Sequence, residues 1–403
     1  MVLRELMDFK KLLVFLSFYT LAFCYENIDE ALKNGVTKGD VIFYGDYQKL
    51  SYGKAQNFTP NNLATYSYLG NSGYLLGNIR LGYTSGFYKN VRASISFASS
   101  IVIFNQHKNL LTSTGNIDAQ KDFFNHNQAS IGESFIEYFD GDTNIKAGRI
   151  SIANEWINTL ADGFWIRNKT IDKLLIETFW AKSYGRINYW QMTDFRDLNP
   201  YNIFGIANIG AKYDILDENL TIKAFSYFAP EIFTAFGTRV HGSYANNNIQ
   251  MGGEFGATYS IEHLPHHSNA YVIDLSGFVG YKEIIQFKAG YINTSKESGW
   301  GNIGIMGDQI TPFFIWGGKA IKTQPNGNLF YGMIKSKLQQ FTFSITYGST
   351  SFGTNQRQNE FDFTTEVGIT NNVFMLLNIL NTHLDSSIIP TLTQVNGGIR
   401  LKF

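Results

Sequence analysis

The segment Gln394-Val-Asn-Gly-Gly-Ile-Arg-Leu-Lys-Phe403 alternates strictly and ends on an aromatic residue. Val395, Gly397, Ile399, Leu401 and Phe403 fall on one face of an extended chain, and Asn396, Gly398, Arg400 and Lys402 on the other. Period-two alternation marks a strand with one apolar and one wet face. The segment's length matches a transmembrane strand of about 9–11 tilted residues. A closing strand of this kind predicts an all-β chain, a transmembrane antiparallel β-barrel whose last strand pairs with its first, Asp40 to Lys49. Val395, Ile399, Leu401 and Phe403 then face lipid, and Asn396, Arg400 and Lys402 face a watery lumen.

Composition supports that reading. The 403 residues are 44% hydrophobic and 16% aromatic but only 16% charged, against about 25% charged in a soluble domain. Past the N-terminus no apolar run approaches the ~20 residues of a membrane helix. Apolar side chains that are abundant yet never consecutive belong on alternating strands. A formal net charge of zero offers no basic footprint for nucleic acid.

Three segments are expected. Residues 1–24 read as an export signal: Lys10 and Lys11, the apolar run Leu12 to Phe23, and Ala22-Phe-Cys24 as a small-x-small cleavage site. Cys24 is also placed where a lipid-modified cysteine could stand, although Phe23 suits that reading poorly. Residues 25–38 form a short periplasmic segment with a helix-like stretch that Gly35 can cap. Residues 39–403 form the barrel. Cleavage after Cys24, the single cysteine, leaves no thiol and no disulfide, which suits an oxidising compartment.

Alternation recurs along the chain. Ile79 and Leu81 oppose Asn78 and Arg80; Val91, Ala93 and Ile95 oppose Arg92 and Ser94; Phe341, Phe343 and Ile345 oppose Thr342 and Ser344. The polar faces hold small hydrophilic residues, as a water-filled lumen requires. Tight links are expected at 88–90, 140–142, 183–186, 216–219, 281–283, 338–339 and 371–372. Long ones are expected near 50–73, 104–126, 153–171, 294–326 and 383–393. With both termini on the periplasmic side, tight turns must follow inward strands, and that parity gives about eighteen strands. It places Phe313 to Ile321 in a loop and Ile232 to His241 in a strand. The strands at 127–139, 172–182 and 231–241 are weakly patterned.

The 153–171 segment carries Trp156, Ile157, Leu160, Phe164 and Trp165, too many apolar groups for a solvated loop. It is therefore expected to fold inward as the third outer loop. Its charges Glu155, Asp162, Arg167 and Lys169 would narrow the pore and filter ions. Packing across the mouth or at a subunit contact is the alternative.

Ile145-Lys-Ala-Gly-Arg-Ile150 followed by Asn154-Glu-Trp-Ile157 resembles the Gly-Arg strand and following loop of OprD-like porins. The Glu-Trp-Ile form, with Ile28-Asp-Glu-Ala-Leu-Lys-Asn-Gly35 and Gly39-Asp40, resembles the branch that includes Campylobacter-type major outer membrane porins. The resemblance implies an eighteen-stranded barrel, a constricting third outer loop and a channel for small hydrophilic solutes. It implies outer-membrane residence after Sec-type export, with lipid and lipopolysaccharide around the barrel. Monomers and homotrimers both occur among such proteins. Phe403 resembles the signal read by the barrel-assembly machinery. Lys146 and Arg149 are carried over as wall residues near the constriction, although their odd spacing cannot place both in the lumen without a bulge. Arg80, Arg92, Lys223, Lys288 and Arg400 form a partial basic ladder, mixed with Asp362 and Glu366. Taken singly, most of these charges need do no more than hydrate the lumen.

No catalysis, cofactor or metal is expected. His263-Leu-Pro-His-His267 is interrupted by Pro265 and has no partner cluster, so it reads as a surface loop. No Gly-x-Ser-x-Gly elbow, His-Glu-x-x-His or phosphate loop occurs. A hydrolase with dispersed Ser and His, and long loops serving surface contacts, remain the competing classes.

Overall fold

The computed structural model describes residues 24–51, 70–105, 129–188, 192–216, 219–313, 318–384 and 391–403. All of the expected export signal but Cys24, most of the expected loops at 50–73 and 104–126, Trp190 and Trp316 lie outside these residues.

The chain is a closed barrel of eighteen antiparallel strands. In order they are β1 Val36–Ser51, β2 Gly70–Thr84, β3 Val91–Asn105, β4 Ala129–Phe139, β5 Thr143–Ala153 and β6 Asn158–Asn168. Then come β7 Leu174–Gly185, β8 Ile206–Asp214, β9 Leu220–Ala229, β10 Phe233–Ala245, β11 Ile249–Glu262 and β12 Ala270–Tyr281. The last are β13 Ile285–Thr294, β14 Asn328–Leu338, β15 Phe341–Phe352, β16 Gln356–Gly368, β17 Val373–Leu384 and β18 Thr391–Lys402. Each strand pairs with its sequence neighbours. β18 closes on β1 in the register Asp40↔Lys402 to Ser51↔Thr391, so the sheet has no open edge.

Side chains follow the pleat. Phe43, Ile101, Ile136, Ile209, Phe330 and Ile399 are exposed on the outside, while Asp40, Asn78, Glu137, Asp274, Glu360 and Asn396 are enclosed. Apolar out and polar in is the inversion of a water-soluble barrel and the arrangement of one whose wall meets lipid. No helix among the described residues is long and apolar enough to cross a membrane.

The inner turns are tight. At Lys89-Asn90 and Lys282-Glu283 both residues have positive φ, the primed-turn geometry that matches strand twist. At 140–142 the Asp140 carboxylate accepts from the backbone N–H groups of Thr143 (2.7 Å) and Asp142 (3.1 Å). The Thr143 N–H in particular holds that carboxyl below the usual range.

Two expectations are corrected. Ser183 to Arg186 is no tight turn: β7 runs to Gly185 and a long outer connection, 186–205, follows. The 153–171 segment is no long loop either, because Asn158–Asn168 is strand β6, hydrogen-bonded to β5 and β7 along its length. Trp156, Ile157 and Leu160 are buried and Trp165 is half-buried, whereas Phe164 faces outward and is exposed. The parity count survives because the gained strand replaces one expected after residue 186. The weakly patterned strands are present at 129–139, 174–185 and 233–245, and Phe313 lies in the 295–327 connection.

A short helix, α1 (Ile28–Lys33), precedes the barrel, capped by the Asn27 side chain, which accepts from the Glu30 N–H at 2.8 Å. The first strand starts at Val36, slightly before the expected boundary.

Candidate functional site

Strand parity sorts the candidate charges. Arg80, Arg92, Lys146 and Arg167 face the lumen, each in hydrogen-bonding or ion-pair reach of another lumenal side chain. Arg80 and Arg400 (2.9 Å through its Nε) share Asp40. Arg92 (2.5 Å) and Lys146 (3.9 Å) share Glu137, which also accepts from the Asn144 amide at 2.6 Å. Arg167 donates to the Asn144 carbonyl oxygen at 3.2 Å. Two bases on each acid, with Arg167 and Lys402 besides, outnumber the acids of this stretch of wall even with Glu177 opposite Arg167 and Glu366 near Lys402. The stretch lies toward the inner ends of β1 to β6 and β18.

Arg149 and Asp162 are elsewhere. Arg149 pairs with Ser134 and Asp162 on the same face as exposed Ile136 and Phe164, so both point out of the barrel. The reason is plain alternation: Arg149 stands three residues from lumenal Lys146 in a strand whose register is unbroken. A bulge lies in the neighbouring β4, where Ile95 and Phe97 are opposed by Ser134 and Ile131. The bulge frees the Ile131 carbonyl, which Arg149 satisfies at 3.0 Å while gripping Asp162 at 2.7 and 3.1 Å. Phe195 stacks over the guanidinium at 3.5 Å. No bulge separates Lys146 from Arg149, so only Lys146 faces the lumen and Arg149 is a staple of the outer wall. Lys169 is also off the lumen wall: it begins the inner turn after β6, and its N–H donates to the Asp142 carbonyl at 3.0 Å.

The third outer connection is only the turn 154–157, yet it does tip inward. The Glu155 carboxylate reaches Arg239 on β10 and lies 3.9 Å from Lys223 on β9. Asn154 donates to Glu177 (3.0 Å) and accepts from Lys223 (3.1 Å) and Tyr227 (3.0 Å). The fully buried Trp156 donates to Thr258 Oγ1 at 3.3 Å and meets Trp300 edge-on with centroids 5.1 Å apart. Arg239 is the centre of the charges here, bound bidentately by Asp274 at 2.7 and 2.9 Å. Glu254 follows, 3.8 Å from Lys288 and 3.3 Å from His241. Acids and bases are nearly balanced on this side.

Two longer outer connections fill the lumen. The 295–327 connection carries a 3₁₀ turn, Gly301–Met306, and a short helix, α2 (Lys319–Thr323). It is tied to β11 through Asn302 on Glu262, to the 154–157 turn through Gln309 on the Asn154 carbonyl (2.6 Å), and to β16 through Glu360 and Gln358. Trp300, Ile303, Phe313 and Ile321 are buried with Trp156 and Ile157 in one apolar cluster. The 186–205 connection sends Met192 against Ile42, Tyr44, Tyr74 and Leu76 of the opposite wall. The narrowing is thus made by 154–157, 186–205 and 295–327 together.

Arg239, Glu177, Glu254, Asp274 and Asn154 escaped the site reading of the sequence. For Arg239 a signal was present, its alternation with Phe236 and Val240 on β10. The inward reach of 186–205 had none, since a loop's destination is set by residues far away. Among the described residues no group of His, Cys, Asp and Glu is placed to hold a metal; His263 contacts Thr234 Oγ1 at 3.0 Å instead.

No protein-family model matches the sequence, and no curated protein matches it. Solved structures do. Porins of the OprD/Occ family superimpose over nearly the whole chain. OpdK of Pseudomonas aeruginosa, solved with vanillate, is 11% identical, covers 92% of this chain and 99% of its own, and gives a TM-score of 0.71. The chain shares their fold. OpdO of the same organism matches with a TM-score of 0.73 at 11% identity, over 93% of this chain and 98% of its own. OccAB4 of Acinetobacter baumannii gives 0.70 at 10% identity, over 91% and 98%.

Proposed function

We propose that the chain is a bacterial outer-membrane porin through which small hydrophilic solutes cross passively. The observation that carries this reading is a closed barrel, apolar outside, whose charged lumen is narrowed by its own outer connections. Such a lumen acts through diameter and electrostatics, with no covalent step and no cofactor. The positive stretch at Arg80, Arg92, Lys146, Arg167 and Arg400 favours solutes bearing an anionic group, small organic acids, amino acids or peptides. OpdK, captured with vanillate, is a neighbour whose ligand has that character. Export through a cleaved signal at 1–24, recognition of Phe403 by the assembly machinery, lipopolysaccharide around the outer rim and a homotrimeric state belong to the same proposal. So does kinship with the Campylobacter-type branch, supported by the motifs at 26–45 and 143–157. A role in surface contact would rest on the long loops at 50–73, 104–126 and 294–326; the first two lie mostly outside the described residues, and the third packs inward through Trp300, Ile303 and Gln309.

Planar-bilayer recording tests the channel. Discrete open-channel steps are expected, with a reversal potential under a salt gradient displaced toward the anion. A folded barrel that gives no steps would sink the porin reading, and cation preference would remove the anionic solute class.

A further inference from the structure

α1 sits against the lipid-facing side of the barrel's inner rim rather than beneath its mouth. Three contacts hold it there. The Tyr83 hydroxyl donates to the Leu32 carbonyl, the Gly86 N–H donates to the Ala31 carbonyl at 2.8 Å, and Tyr25 pairs in parallel with Tyr88. Tyr83 belongs to the outward row of β2, with exposed Ile79 and Leu81 above it. Its ring lies against Gly35, and the Phe403 ring lies against Gly39 on the neighbouring strand. The helix therefore continues the lipid-facing surface at its inner edge.

Its own pattern matches that place. Ala31 is buried against the rim, while Ile28 and Leu32, one turn apart on the same side, are 60% and 50% exposed. Asp29, Glu30 and Lys33 occupy the other side. A helix this short is marginal alone in water, but here the Asn27 cap and the rim contacts hold it ready. An apolar stripe with a charged back is the form of a helix lying in a bilayer interface. We propose that α1 is an interfacial anchor whose Ile28–Leu32 stripe enters the acyl region of the periplasm-facing leaflet, with Tyr83 and Phe403 beside it. This inference rests on the membrane-barrel reading above and places in lipid a segment that the sequence alone assigns to the periplasm.

The test uses the processed chain from Tyr25, which carries no native cysteine, refolded into phosphatidylcholine vesicles. Single substitutions Leu32→Cys and Ile28→Cys each carry an environment-sensitive fluorophore. Phe43→Cys on the outer wall and Asn371→Cys in an inner turn serve as references. Labels at 28 and 32 are expected to follow Phe43: strong quenching by chain-brominated lipid and little by aqueous iodide. Behaviour like that of Asn371 at both positions overturns the anchor while leaving the barrel reading intact. If the Phe43 label is itself open to iodide and untouched by brominated lipid, the membrane reading fails, and the anchor with it.

Discussion

At the scale of single residues, the same side-chain type acts in two ways according to the face it occupies. Arg149 and Arg167 illustrate it. Arg149 is consumed by the Ile131 carbonyl, Asp162 and Phe195 on the outer wall. Arg167 stands on the lumenal face, hydrogen-bonded to the Asn144 amide and opposite Glu177 on the next strand. Arg149→Ala should therefore lower stability by about 1–3 kcal/mol, the loss typical for a charged hydrogen-bond partner that leaves its acceptors unsatisfied. Ion selectivity should stay unchanged. Arg167→Gln should do the reverse, moving the reversal potential toward the cation with little loss of stability. Glu155→Gln should move it toward the anion, since it removes an acid facing Arg239 and Lys223. Urea unfolding of the vesicle-embedded barrel and bilayer reversal potentials separate the effects. A selectivity shift in Arg149→Ala would return that residue to the lumen.

At the scale of elements, strands were legible and loop destinations were not. Alternation at Phe341 to Ile345 or Val395 to Phe403 is local, because the pleat sends successive side chains to opposite faces. The 153–171 stretch misled because two adjacent elements share it. A tight inward turn, 154–157, carries Glu155 and Trp156, and a strand carries Leu160, Phe164 and Trp165. Its aromatic content is explained by partners outside the segment, Trp300 on a distant connection for Trp156 and Trp180 on the next strand for Phe164. The turn is held inward by the Trp156 contacts. Trp156→Ala should loosen it along with the 295–327 connection, costing about 3–5 kcal/mol as other buried Trp truncations do and raising single-channel conductance. Unchanged conductance in a folded variant would show that the narrowing does not depend on this pair.

At the scale of the whole molecule, closure joins residues from the two ends of the chain, with Gln394 donating to Asp46 at 2.6 Å and Arg400 held by Asp40. The seam gives a direct test of which face meets lipid. Val395→Lys puts a charge on the outer wall and should cost about 2–4 kcal/mol if it lies near the bilayer midplane. Asn396→Lys, one residue on, should be nearly neutral in stability and shift selectivity toward the anion. Equal destabilisation of the two, read from equilibrium unfolding in vesicles, would contradict the assigned faces.

By itself the sequence determined the barrel, its strand parity, the seam between first and last strands, and the faces of Arg80, Arg92, Arg400 and the closing segment. All of these follow from a two-residue period that each strand carries within itself. Only the tertiary structure decided where the lumen narrows and which charges meet there. The Glu155–Arg239–Asp274 contact joins β10 and β12 to a turn far away in sequence, and Met192 is buried by β1 and β2 across the lumen. The partners of Arg149 also waited on the structure: alternation puts it on the face opposite Lys146, but only the fold decides which of the two is lumenal and that the Ile131 carbonyl and Asp162 take its guanidinium. Those outcomes depend on long-range register and loop packing, and no period within a single strand encodes them.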